Sequence, residues 1–526
     1  MATLETNLGS PMWTTKAEKR GLDPLGMQTT SVALYQQLVP GISNVTLRMR
    51  YYGFYAWLAH RYAKDVRDTS VETWCLYLRR AEALYALVAI NSGGERGVVG
   101  VDWAIGALAS AESELSFHSA TDRGPGERQY LKQKFGAFGA AYGSQLVTIG
   151  VLEPVPGHDV PVPTKAMGEK LAAAFADAIG GCAEVFLNAA QTGVVSRNVL
   201  SQLVAMLPSR ISPDSVECAL YQSLLLEGHG IHAPQAASRS QSLRLVLKMT
   251  REHGSSLRMD SLRWAFYAAY CGTAIDEPEE DTQLFSWAVY QANDLLHVCY
   301  ETILKLALDI LDKTPTGVPF EKLVAQTVEY LLAALDAYPV ASWVELTDAL
   351  DLVANPWTYK KAVPLSEFTL HQAALKCAKP EVFTTPESAC SAVLLLGVLY
   401  KRFGGVLERI AQELRVLAQG DFLRSLVTEV RFLEAHSAEP LQTLLTRLVQ
   451  QRVLDRHLWV AIQKFRGQGD YTFLLESDDG RVRLRQKDGP VLTNPRLGSA
   501  VAFLEDIHLL TASGPTLAGL AAIEAA

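Results

Sequence analysis

The chain lacks the markers by which most enzymes and membrane proteins announce themselves. It has no Gly-Lys-Ser/Thr phosphate loop, no H-E-x-x-H, no G-x-S-x-G and no kinase-type set. Its seven cysteines (Cys75, Cys182, Cys218, Cys271, Cys299, Cys377 and Cys390) stand singly with no C-x-x-C pair. A dispersed, odd set points to reduced thiols rather than a disulfide framework or a zinc site. No uninterrupted apolar run reaches the length of a bilayer span, Ala389–Tyr400 being the nearest, and the polar opening MATLETNLGSPMW has no apolar signal core. A soluble cytoplasmic protein is expected. Basic excess is missing too: a net charge of −8 argues against non-specific coating of nucleic acid, although a local basic face can still bind it. No fixed-period repeat is found.

What is present is apolar mass and helical period. Hydrophobic residues make up 49% of 526 residues, enough for ample burial and too long a chain for one ordinary core. The expected fold class is mainly α, a multi-domain helical protein with a winged-helix-like module and a small C-terminal β-hairpin. Five segments are expected: an N-terminal helical domain with an extended arm (1–125), the winged-helix-like module (126–182), a central helical domain (183–315), a second helical domain (316–440) and a basic helix and hairpin region (441–526).

Apolar steps of three and four residues predict helices over 45–64, with a buried stripe of Leu47, Tyr51, Phe54, Tyr55, Leu58 and Tyr62, and over 71–91. In 128–178 the order is helix (129–149), short strand at Gly150-Val151-Leu152, a Pro- and Gly-rich turn, then Thr164-x-x-x-Gly168 opening a helix to Ile179. That order is common in winged-helix modules; a helical domain with a Pro-rich loop is the alternative. Further helices are expected over 199–207, 213–227, 240–252, 256–272, 281–311, 320–335, 343–354, 389–418, 422–434, 440–454 and 498–510. Thr385-Pro386-Glu387 suits a helix start, with proline in the first turn. Near the end the period switches: 471–476 and 481–485 alternate around Asp479-Gly480, the clearest hairpin signal in the chain.

Two segments carry the candidate functional residues. In the first, residues 21–62, Gly21-Leu-Asp-Pro-Leu-Gly26-Met27 is followed by Pro40-Gly-Ile-Ser-Asn-Val-Thr46 leading to Arg48, Arg50 and Tyr52, where arginine forks beside phenols suit phosphate oxygens; tyrosines in the core and arginines paired with carboxylates are the alternative. In the second, Arg456, Lys464 and Arg466 precede the hairpin, and Arg481, Arg483 and Arg485 alternate along its second strand and so share a face. Such a row suits nucleic acid or an acidic partner. Glu476, Asp478 and Asp479 on the same hairpin offer a self-compensating ionic face instead. Trp459, Phe465 and Tyr471 are expected in the core rather than as base-stacking platforms.

Other constellations are weaker. Glu476, Asp478 and Lys487 are the only strand-associated set for a divergent metal-dependent nuclease, and their spacing does not match a nuclease core. His229 and His232 lack further metal ligands. The acidic run 276–281 suits a helix start, and Ser238–Arg244 suits a helix N-cap as well as a phosphate contact. No catalytic residue, metal or cofactor is assigned.

Three stretches together resemble a large family of bacterial helical proteins: Leu25-Gly26-Met27 with Pro40–Thr46 and Arg50-Tyr-Tyr-Gly-Phe-Tyr55; Trp287-x-x-Tyr290-Gln291-x-Asn293-Asp294; and KFRGQGDYTFLLE (464–476). Proteins of this style are similar to accessory components of anti-phage defence islands. The resemblance implies a non-catalytic DNA- or partner-binding subunit, beside a helicase, nuclease or ATPase and with double-stranded DNA as a possible ligand; it carries over no catalytic residues. A scaffold that binds no nucleic acid is the remaining alternative.

Overall fold

The computed structural model describes residues 23–110, 112–122, 129–227, 233–272, 282–357, 365–417, 424–478 and 480–525. Over these the protein is mainly α, with short strands in four small sheets. His229, His232 and the acidic run 276–281 lie outside the described residues.

The organising element is the helix Thr282–Asp312, the central helix, buried along almost its whole length. Around it pack Gln28–Leu38, Met259–Gly272, Phe320–Ala334 and Pro386–Phe403. The last continues with a break at Gly404–Val406 into Leu407–Leu417, where one uninterrupted helix is expected from the sequence. Its start is as expected: the Thr385 hydroxyl accepts from the Ser388 N–H, with Pro386 in the first turn. The run Pro386–Val416 is long and apolar enough to cross a membrane, yet most of its apolar window lies inside the molecule.

The helix expected over 71–91 spans Val71–Asn91, capped by the Ser70 hydroxyl on the Thr73 N–H. The helix expected from residue 45 starts later, at Arg50, because residues 43–46 close on themselves through Ser43 and Thr46; Leu47 is left outside it and exposed. The rest of its stripe is interior. Tyr51, Phe54 and Tyr55 meet Tyr85, Tyr142, Phe175 and Phe138 in edge-on and offset contacts, which add to the burial of the rings.

In the 128–178 stretch the expected long helix is shorter: a π-helical turn, Phe138–Tyr142, runs into Gly143–Thr148. The strands Leu152–Val155 and His158–Pro163 then form a hairpin, and Gly168–Ile179 follows, packed on Arg50–Arg61. The C-terminal hairpin pairs Leu475–Asp478 with Arg481–Leu484, and Val318–Pro319 adds a third strand that the sequence did not signal. The strand expected from Tyr471 begins at Leu475, since the Leu474 N–H is taken by His457. Buried side chains from Leu25 to Leu510 form one contiguous core shared by segments distant in sequence. All seven cysteines are unpaired thiols.

Candidate functional site

The fold brings the two marked segments together. The turn Asp23–Met27 lies under the helix Asp455–Gln468, which follows Leu441–Arg447 through a π-helical stretch, Leu448–Leu454. His457 sits 3.0 Å by Nδ1 from the Pro24 carbonyl, while its Nε2 receives the Leu474 N–H at 3.0 Å. That geometry needs a neutral ring protonated on Nδ1, and burial pushes its pKa down to about 4. Lys464 donates to the Asp23 carbonyl at 2.8 Å and Arg424 to Gly26 at 2.9 Å. Arg456 is buried against Glu429 at 2.7 Å. Met27 completes this clasp through its sulfur, 3.3 Å from Arg456.

Of the first segment's residues, Arg50 is fully interior. It holds Glu217 with two bonds of 2.9 and 3.0 Å and the carbonyls of Ala205 and Leu207 at 2.7 Å. Tyr52 is buried with its hydroxyl on the Gly41 carbonyl. The paired-and-core alternative therefore describes both: neither reaches solvent to meet a phosphate. Arg48 is largely covered, bridging Asp506, Glu95 and the Arg96 carbonyl. It edges a cleft of about 450 Å³ shared with Asn44, Arg96, Asn494 and Ser499. Arg239, from the hydroxyl-rich tract, is also interior, donating to the carbonyls of Leu224, Leu225 and Pro40.

The stretch Trp287–Asp294 meets both segments on the central helix. Tyr290, Asp294, His297, Glu301, Lys305 and Asp309 follow at steps of three and four, hence on one face, and all are buried. Along this polar stripe runs an irregular strap, residues 485–495, in the opposite direction. Lys487 reaches Asp309 and Asp312, at 3.1 and 2.9 Å. Val491 donates its N–H to Glu301 at 3.0 Å, and its carbonyl meets His297 Nε2 at 2.5 Å. Thr493 donates its N–H and hydroxyl to Asp294. The geometry matches: Asp309 to Asp294 is about 22 Å of helix, and Lys487 to Thr493 about 20 Å of extended chain. Asp294 also pairs with Arg263, whose Nε donates to Gln291 at 2.7 Å. Gln28, from the first segment, donates to Glu301 at 3.0 Å. Burial raises the Glu301 carboxyl to about 7 despite His297, Gln28 and Val491 favouring its charge. At His297 burial opposes the charge, but the Asp294 and Glu301 carboxylates outweigh it and its pKa is raised. Asp294, His297, Glu301 and Asp309 thus hold the strap, while Lys305 pairs with Asp309 and donates to the Val382 carbonyl, and both roles are structural.

The surface above the clasp differs. Trp459 and Phe465 are each 51% exposed and Tyr471 45%, contrary to the expectation that they are core. The helix is inverted: Arg456, His457, Val460 and Ala461 face inward, while Trp459, Ile462, Phe465 and Arg466 face out. The clasp favours this, since the carbonyls of Asp23 and Pro24 and the Glu429 carboxylate need donors and Lys464, His457 and Arg456 of this helix supply them. Arg424 lies 5.2 Å over the Trp459 ring and Arg485 4.1 Å over Tyr471. Arg424 was not among the residues marked from sequence; nothing local sets it apart.

On the hairpin, Arg481 and Arg483 are exposed and Val482 between them is buried, the alternation expected. Arg485 forms the self-compensating pair with Glu476 at 2.6 Å, whereas Arg481 donates to the carbonyls of Thr316 and Gly317 and keeps its net charge. Arg466 is exposed. The nuclease set is not assembled: Glu476 is held by Tyr471 and Arg485, while Lys487 turns to Asp309 and Asp312. Among the described residues no group of three or more His, Cys, Asp or Glu is arranged to hold a metal. Comparison of the chain with protein-family models, curated proteins and solved structures finds no match.

Proposed function

We propose that this chain is a non-catalytic subunit of a bacterial DNA-directed assembly of the anti-phage kind, working in the cytoplasm beside a helicase, nuclease or ATPase. Its contact with nucleic acid, in this reading, is the surface formed by Asp455–Gln468 and the C-terminal hairpin. The observation that carries the reading is the exposure there of three aromatic rings set among arginines, on a chain whose other aromatics are mostly buried. Guanidinium groups supply the salt-dependent phosphate term, and exposed rings supply contacts to bases. The wing-like hairpin at 152–163, with Pro156 and Gly157 exposed at its tip, is a second face of the same assignment. Arg48, Arg50, Tyr52 and Arg456 have no contact role in this reading, because their groups are spent inside the protein.

The test is a mobility-shift titration of the full chain against single- and double-stranded oligonucleotides at about 50 and 200 mM salt, the range over which phosphate contacts weaken strongly. Binding that falls with salt, and falls further when Arg481, Arg483 and Arg485 are all changed to alanine, is the expected result. A chain that shifts neither probe is a scaffold, and the reading fails.

A further inference from the structure

We infer that the occupant of this surface is a single strand of nucleic acid, its bases stacked on a track of exposed rings; this deepens the nucleic-acid reading above and rests on it. The track is longer than the helix alone. Phe465 and Tyr471 lie edge to face with centroids 6.0 Å apart, and Arg485 covers Tyr471. Two residues on, Lys487 stands 3.8 Å from the centre of the Phe383 ring, which is itself 43% exposed and has Lys313 at 5.4 Å. Cations thus stand over Trp459, Tyr471 and Phe383 along this surface, and Phe465 meets Tyr471 directly.

Charge along the track favours a polyanion. Glu476 neutralises Arg485, and Asp309 with Asp312 neutralises Lys487. Arg424 and Arg481 donate only to carbonyls, and among the described residues Arg466 and Lys313 have no carboxylate partner. Among the described residues, Arg424, Arg466, Arg481 and Lys313 are thus without a carboxylate partner. The path from Trp459 to Phe383 is at most about 30 Å, the length of roughly nine stacked nucleotides.

The choice of single strand follows from the rings. A duplex hides the faces of its bases, so it could use only the cations; an unpaired strand offers a π-face at every base. Aromatic rings and arginines are also enriched in protein interfaces, so a protein partner is the occupant left if every oligonucleotide probe fails to bind.

The experiment is fluorescence anisotropy of the full chain with labelled oligo-dT and oligo-rU of about 20 nucleotides and with a duplex of the same length, a probe longer than the track. Either homopolymer should bind at least tenfold more tightly than the duplex, and the tighter of the two identifies DNA or RNA. Trp459→Ala with Phe465→Ala should weaken the homopolymer at least tenfold and leave duplex binding within about twofold, consistent with the cost of losing a stacked base. Phe383→Ala should weaken it too, which a patch confined to the helix would not predict. An unchanged circular-dichroism melt shows that the variants fold. Equal or tighter duplex binding, or equal losses for both probes, overturns the single-strand inference while leaving the proposed function standing. No binding of any probe overturns both.

Discussion

The central helix and the helix Asp455–Gln468 use the same residue types to opposite ends. On the central helix Asp294, His297, Glu301 and Asp309 are buried and meet the chain's own strap, and the buried Lys305 pairs with Asp309. On Asp455–Gln468 the inward polar groups are equally spent, on the Asp23–Met27 turn, but Trp459, Ile462 and Phe465 are pushed outward. Buried charge must be partnered or it is very costly, so its presence says little about ligands. Rings left half in water forgo roughly half of the ~1.5–3 kcal/mol that full burial gives, so their presence says more.

The sharpest way to break this contrast is to unpair the buried charges. Asp294→Ala strands the Arg263 guanidinium and releases Thr493, and Glu217→Ala strands Arg50; each should cost about 3–5 kcal/mol, read from denaturant midpoints. Arg481→Ala on the hairpin should stay within about 0.5 kcal/mol. If it costs as much as the buried changes, the division between structural and available arginines is wrong.

Next in size is the strap. A Cβ at Gly489 would lie 2.3 Å from the Ala378 carbonyl oxygen. Gly489→Ala should therefore cost about 1–3 kcal/mol and open residues 485–495 to limited proteolysis. Retained protease resistance would mean that the strap has room to shift.

A pH dependence sharpens the comparison from the inside. The Glu301 carboxyl is raised to about 7 by burial, so between pH 4.5 and 7 the folded chain holds its proton more tightly than the unfolded one. Its contribution to stability therefore falls as pH rises through that window. His297 is also raised, and its contribution is lost in the same direction. Glu301→Gln cannot titrate, so its stability relative to the wild type should increase from pH 5 to pH 8 in paired thermal melts. A constant difference would remove Glu301 from the account. The smallest effect is expected from Trp459→Ala and Phe465→Ala, each costing about 1 kcal/mol or less, since the rings are only half buried. A large loss would return both rings to the core.

Much of the helical layout was legible beforehand. The 71–91 helix and the central helix follow from periodicity and caps, because burying an apolar stripe is a local, repeating requirement. Arg50 and Arg456 read as contacts in the sequence because an arginine beside aromatics looks the same in either setting; only Glu217 and Glu429 decide that they are internal. Phe465 and Trp459 were placed in the core by the rule that large apolar groups go inside. That rule failed where an inverted helix turns His457 and Lys464 to the carbonyls of the Asp23–Met27 turn.

By itself, then, the sequence determined which segments would be helical, where the C-terminal hairpin would turn, and that Arg481 and Arg483 would share a face, since all three depend on residues a few positions apart. Only the tertiary structure decided that the Asp23–Met27 turn and the strap lie against their helices, which arginines are buried, and which rings remain on the surface. Those outcomes depend on hydrogen-bond partners tens to hundreds of residues away, and burial is settled by which donors and acceptors meet there.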